Sequence, residues 1–225
     1  MAQRSLHERL QHEENPPAEA DTKHLAVSHS AHIIGPMLIL DKKHEGISME
    51  RFAHALKIPF NPRLTRTLMR LDSFTDLPVD DLKRYIKGLI INVDNTLAEP
   101  RSQEFSPEVM AKLEEIQKAM RVCFFSDSDD QRPQLVKTGI TFASNIPNKP
   151  DPNGFKMAAR LRLDLKAEDC AMIGSDYTKD GACKEAGMRY IHVKPISGPN
   201  EPISEKIMRC YGNMVASIHD RFRKK

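Results

Sequence analysis

The chain has 225 residues, 40 % of them hydrophobic, and its 34 Lys and Arg against 31 Asp and Glu leave a net charge of +3. That excess is too small to argue for a nucleic-acid partner, and no apolar run approaches the roughly 18 residues of a membrane-spanning helix. Cys123, Cys170, Cys183 and Cys210 stand far apart with no Cys-x-x-Cys pair, so reduced core thiols and a cytoplasmic location are expected, at most peripheral to a membrane.

Residues 1–25 are polar, contain Pro16-Pro17 and clustered Glu, and show no apolar period or signal-like h-region; a disordered tail is expected. His7, His12, His24 and His29 share no metal-site spacing and are expected to be solvated. Residues 26–80 are expected to form a small helical N-terminal region. Ile33, Ile34, Met37, Leu38 and Leu40 make one apolar cluster, and Phe52, Ala55 and Leu56 another at helical spacing. The intervening Asp41 to Phe52 resembles a calcium loop only loosely. Lys43 stands where an oxygen is needed and Phe52 where a bidentate Glu belongs. Ser48 is the expected cap of the second helix.

Residues 81–225 alternate strand and helix patterns. The strand-like runs are Gly88–Val93, Val122–Phe125, Ile140–Ala143, Cys170–Ile173 and Tyr190–Val193. Ser106-Pro107-Glu108 opens a helix that puts Val109, Leu113, Ile116 and Met120 on one face. Further helices are expected from about Asn153 to Leu163 and ending near Gly187. Ile203, Ile207, Tyr211, Met214, Ile218 and Phe222 form an amphipathic segment expected to pack back on the domain. This alternation predicts an α/β fold around a five-stranded parallel sheet, with Gly88–Val93 central.

Ligands of such sheets sit at the carboxyl ends of the strands, and there the polar residues gather. Asn92, Asp94 and Thr96 follow the first strand, and Ser126 the second. Lys149 follows the third, and Asp176 and Asp180 the fourth. Each is unremarkable alone, since a strand-end Ser is usually a cap and a lone Lys usually solvated. Their order along one sheet edge is the signal.

The words Ile-Lys-Gly-Leu-Ile-Ile-Asn92-Val-Asp-Asn-Thr-Leu, Asn-Lys149-Pro-Asp-Pro-Asn-Gly-Phe155, Met172-Ile-Gly, Glu185-Ala-Gly-Met188 and His192-Val-Lys-Pro-Ile196 resemble the haloacid dehalogenase (HAD) superfamily. They are most similar to its YqeG-like subclass IIIA phosphatases, which include phosphatidylglycerophosphate phosphatases. The resemblance covers about residues 70–210. It implies a Rossmann-like HAD fold and Mg²⁺-dependent hydrolysis of phosphomonoesters. It further implies catalytic roles at positions 92, 94 and 149, with Asp94 as acid and base. Thr96, Ser126 and Lys149 would hold the phosphoryl group, and Asn92, Asp94, Asp176 and Asp180 the metal. Phosphoryl transfer needs little beyond such positioning and charge neutralisation.

Two departures stand out. Asn92 occupies the nucleophile's place, and an amide has neither the charge to attack phosphorus nor an anionic oxygen for Mg²⁺. The fourth motif reads Gly174-Ser175-Asp176, so either Ser175 has replaced a metal acid or the register has slipped onto Asp176. The expectation is a phosphatase that is weak or degenerate, the alternative an inactive pseudophosphatase that binds phosphate or a protein. With one helix between Asn92 and Ser126, no large cap domain is expected. An open site of this kind suits a lipid head group or a macromolecular phosphate, and the basic end Arg221-Phe-Arg-Lys-Lys225 adds peripheral membrane contact as an expectation.

Overall fold

A computed structural model describes residues 47–126, 132–199 and 201–223. The expected tail, the Ile33–Leu40 cluster, the calcium-like residues 41–46 and the four N-terminal histidines lie outside these residues.

Six parallel strands form one sheet in the order β1 (Met69–Leu71), β6 (Arg189–Val193), β5 (Cys170–Gly174), β2 (Gly88–Ile91), β3 (Arg121–Phe124), β4 (Thr141–Phe142). The five expected strands are present, and β2 lies between β3 and β5 as expected, with Ile90 opposite both Cys123 and Met172. Every residue of β2 and β5 is buried, which is why both read as unbroken apolar runs.

The sixth strand, β1, pairs with β6 through Met69–Ile191 and Leu71–Val193. Three residues with Arg70 in the middle leave no strand pattern in the sequence, and an edge position needs none. Its place moves the expected boundary at residue 80. Phe74, Leu77 and Val79 belong to the same core as Leu89 and Ile91, so residues 69–80 are part of the sheet domain.

The helices cover both faces. On one, α3 (Pro107–Ala119) buries Val109, Leu113 and Ile116. Ser106 caps it by accepting from Val109 N, and the short α2 (Val79–Leu82) packs beside it. A five-residue helix, α4 (Pro133–Lys137), leads to β4. On the other face, α5 (Pro152–Leu163) buries Phe155, Ala158 and Ala159, with Phe155 set edge-on to Phe125 at 5.3 Å. The helix expected to end at Gly187 is instead a single 3₁₀ stretch, Asp180–Lys184, before Gly187 at φ +82°.

Two helices correct the expected amphipathic packing. Helix α1 (Met49–Lys57), capped by Ser48 as expected, buries Arg51, His54 and Ala55 and leaves Phe52 and Leu56 exposed. Helix α6 (Ile203–Arg223) docks through Met208, Gly212, Val215 and Ala216, whereas Ile203, Ile207, Met214, Ile218 and Phe222 face outward. Backbone approach decides this. A Cβ on Gly212 would stand 3.1 Å from Tyr177 Cβ and 3.2 Å from Thr178 Cγ2, so the small-residue side fits closest and the bulky side is left out.

Candidate active site

The carboxyl ends of β2, β3 and β5 and the loop after β4 converge on one cavity of about 640 Å³. Asn92, Asp94, Ser126, Lys149, Asp176 and Asp180 all line it. Thr96 does not; it is fully buried beneath, so its hydroxyl is not offered to a ligand as expected.

Asn92 continues the β2 ladder by donating its backbone N–H to Ile173 O at 2.9 Å. Its amide is fixed from both sides. Lys149 Nζ donates to Oδ1 at 2.9 Å, and an ammonium has only donors, so Nδ2 must point the other way. Nδ2 then donates to Asp94 O at 2.9 Å, to Thr96 Oγ1 at 3.3 Å and towards Asp180 Oδ2 at 3.5 Å. Three oxygens thus gather around one neutral NH₂ group.

Asp180 is the acid that reaches this point. Oδ1 accepts from Lys149 Nζ at 2.8 Å, and both side chains are essentially fully buried. Oδ2 accepts from the backbone N–H of Ser175 at 3.1 Å and of Asp176 at 3.2 Å. Gly174 makes this approach possible, since a Cβ there would fall 2.2 Å from Asp180 Oδ2. This return of the carboxylate to the strand end also pulls Asp180–Lys184 into a tight 3₁₀ turn.

Asp176 lines the cavity but is turned towards α1. Its Oδ2 accepts from Arg51 Nη2 at 2.7 Å, and its Oδ1 from Thr178 N and Oγ1, each at 2.7 Å. Arg51 also donates to Thr178 Oγ1 at 2.9 Å and meets Glu205 of α6 at 2.6 Å. Asp176 is thus held by a guanidinium, and Ser175 has its hydroxyl 3.5 Å from Thr96 Oγ1, which in turn accepts from the Asn92 amide.

Asp94 faces the outer half of the cavity. Its Oδ1 accepts from Arg101 N at 2.9 Å and pairs with Arg132 Nη2, and Oδ2 accepts from Ser126 Oγ at 3.4 Å. Behind the β5 loop, His192 stacks on Tyr177 at 4.7 Å. Its pKa is lowered to about 4, first by burial and then by the nearby Arg70 charge.

Arg51, Arg132 and Glu205 were not legible as site residues. Arginine and glutamate in a sequence read as solvated, and Arg51 meets Asp176 across 125 positions.

The model of the family described as mitochondrial PGP phosphatase matches residues 49–135. That span holds Asn92, Asp94, Ser126 and Arg132. A curated protein from Bacillus subtilis (strain 168), "Probable phosphatase YqeG", is 32 % identical over 101 residues, 44 % of this chain and 58 % of that protein. Over these residues the chain is similar to the YqeG and PGP phosphatases. It covers little more than half the length of the curated YqeG relative. Among solved structures, an uncharacterized protein from Listeria monocytogenes serotype 4b aligns with a TM-score of 0.39 and 17 % identity, over 52 % of this chain and 84 % of that one.

The Mg²⁺ implied by the resemblance does not fit the donors among the described residues. Among the described residues no group of three or more His, Cys, Asp or Glu could hold a metal. Both oxygens of Asp180 are engaged, Asp176 is held by Arg51, and Ser175 is neutral. Turning the Asn92 amide over to offer Oδ1 to a cation would aim Nδ2 at the Lys149 ammonium, donor against donor.

Proposed function

We propose that this chain is a HAD-type phosphatase of the YqeG and PGP kind, recognising phosphomonoesters, whose hydrolytic step is suppressed at Asn92. The observation that carries this reading is the Lys149–Asn92–Asp180 contact. Lys149 lies across the nucleophile position and the motif-four acid, yet the atom set between Asp94 O and Asp180 Oδ2 is an amide nitrogen. That geometry supports an inherited phosphatase site with an NH₂ group standing where a divalent cation would meet the nucleophile.

The residues divide the work unevenly. Ser126 and Lys149 offer a hydroxyl and an ammonium to phosphoryl oxygens, and the Arg101 guanidinium stands on the same rim. Asp94 is placed to exchange a proton with a leaving group in the outer half, with Arg132 and Arg101 N orienting its carboxylate. Among the described residues none supplies a carboxylate at the nucleophile's position, so the wild-type chain has no covalent route through Asn92.

A second reading, a pseudophosphatase that binds phosphate or a protein without turnover, is favoured by the neutral Asn92 amide that Lys149 holds, and the charge of the lining sets how tightly an anion is taken. Among the described residues Glu50, Asp94, Asp151, Asp176, Asp180, Glu201 and Glu205 stand against Arg51, Arg101, Lys149 and Lys179. An acidic excess suits a site built around a cation and, without one, weakens anion binding. Inorganic phosphate is therefore expected to bind only with a Kd of about 1 mM, or roughly −4 kcal/mol. The test is phosphate titration by NMR beside an aryl phosphate turnover assay, on wild type and Lys149→Ala. Phosphate shifts at Ser126 and Lys149 with trace turnover support the first reading, and shifts with no turnover the second. Equal binding by Lys149→Ala contradicts both.

A further inference from the structure

We infer that α1 and α6 form a docking face for an anionic bilayer surface, with the cavity mouth at its edge. The inference stands on surface geometry and does not depend on turnover at Asn92. On α6 the outward Ile203, Ile207, Met214, Ile218 and Phe222 fall on one stripe, with Ile203 77 % and Phe222 73 % exposed. On α1 and the turn after it, Met49, Phe52, Leu56 and Phe60 do the same, with Met49 77 % and Phe60 89 % exposed. The two helices touch, since Tyr211 Oη donates to Ala55 O at 3.2 Å and His219 Nε2 lies 3.1 Å from Pro59 O.

Both stripes begin at the site. Ser48, Glu50 and Arg51 at the start of α1, and Pro202 and Glu205 at the start of α6, line the cavity. Met49 and Ile203 stand between them in the chain. Apolar exposure on this scale marks an interaction surface. Its form is that of a helix lying in an interface, one apolar side and one polar side along 21 residues or about 31 Å. No described helix is long and apolar enough to cross a membrane.

Charge selects the occupant. Exposed Lys57, Arg63 and Arg66 flank the α1 side, and exposed Lys206, Arg221 and Arg223 the α6 side, with Lys224 and Lys225 following in sequence. Of the carboxylates near these rims, Asp220 is paired with Arg70 and Arg223, Glu185 with Lys57, and Glu205 with Arg51 and Lys179, while Glu50 stands exposed at the cavity end. A second copy docking by two-fold symmetry would bring the same basic rims against each other, whereas anionic lipid meets them with opposite charge.

Co-sedimentation of the full chain with vesicles containing one-third anionic phospholipid, beside purely zwitterionic vesicles, tests this. The expected result is at least tenfold stronger partitioning to the anionic vesicles, weakened by salt. It should fall at least tenfold in Ile207→Asp/Phe222→Asp, with the melting temperature and the phosphate titration at Lys149 unchanged. Phe222→Ser, at a tip position, gives the same reading with less risk to folding. Equal partitioning to both vesicle types, or undiminished binding by the variants, overturns the inference. So does a wild-type dimer in sedimentation velocity that the same substitutions convert to monomer, which would assign the face to a second copy.

Discussion

The two halves of the cavity differ in how their polar groups are satisfied. In the inner half, Lys149, Asn92 and Asp180 are buried and bonded to one another at 2.8 and 2.9 Å. In the outer half, Asp94 is partly open, its carboxylate shared among Arg132, Arg101 N and a long 3.4 Å contact from Ser126. The inner half joins its polar groups directly to one another, with Lys149 donating to both Asn92 and Asp180, whereas the outer half ties Asp94 to groups from three separate segments. Asn92 makes the difference, because an amide supplies both the acceptor Lys149 needs and the donor that Asp94 O and Asp180 accept.

The largest effect expected from this contrast is structural. Lys149→Ala removes the partner of a fully buried carboxylate, and breaking such a pair costs about 3–5 kcal/mol. Urea unfolding should show that loss, and a loss under 1 kcal/mol would mean that water reaches Asp180 and the inner half is not closed.

Acid should act next, behind the β5 loop. His192 is held neutral by burial, with its pKa lowered to about 4 from 6.5. Folding therefore favours the uncharged ring. Its contribution is fully present above pH 6.5 and is lost as pH falls towards 4, in total roughly 3–4 kcal/mol at about 1.4 kcal/mol per pKa unit. His54, also lowered chiefly by burial, acts in the same direction. His192→Gln should flatten the melting-temperature profile between pH 6.5 and 4; an unchanged slope would assign the acid sensitivity elsewhere.

The smallest effect belongs to the outer half. Ser126→Ala removes one long contact to Asp94, so its stability change should stay within about 1 kcal/mol. Its phosphate affinity should drop no more than roughly tenfold. A stability loss comparable to that of Lys149→Ala would erase the distinction between the halves.

The sequence showed the strands where burial is complete on both faces. Leu89–Ile91 and Cys170–Ile173 are apolar because nothing polar fits there. It did not show β1, since an edge strand with Arg70 at its centre needs no apolar pattern. The amphipathic period of α6 gave a helix but not its docking side, which Gly212 decides through contact with Tyr177 and Thr178. Among the site residues, those on strand-end loops were legible in chain order. Arg51 and Arg132 were not, because their meaning lies in distant carboxylates. Asn92 was legible as a departure, but the three oxygens around its Nδ2 required the fold.

The most direct test of that role compares wild type with Asn92→Asp, following melting temperature and aryl phosphate turnover as Mg²⁺ is added. The substitution puts a second carboxylate oxygen against Asp94 O and Asp180 Oδ2, where only a cation relieves the repulsion. Asn92→Asp should therefore melt below wild type without Mg²⁺ and gain about 2.7 kcal/mol at a hundredfold excess over its Kd, with turnover appearing alongside. Wild type should respond to Mg²⁺ in neither readout. A wild-type chain that is stabilised by Mg²⁺ and turns over at ordinary enzymatic rates would contradict the assignment of the Asn92 amide to the cation's place.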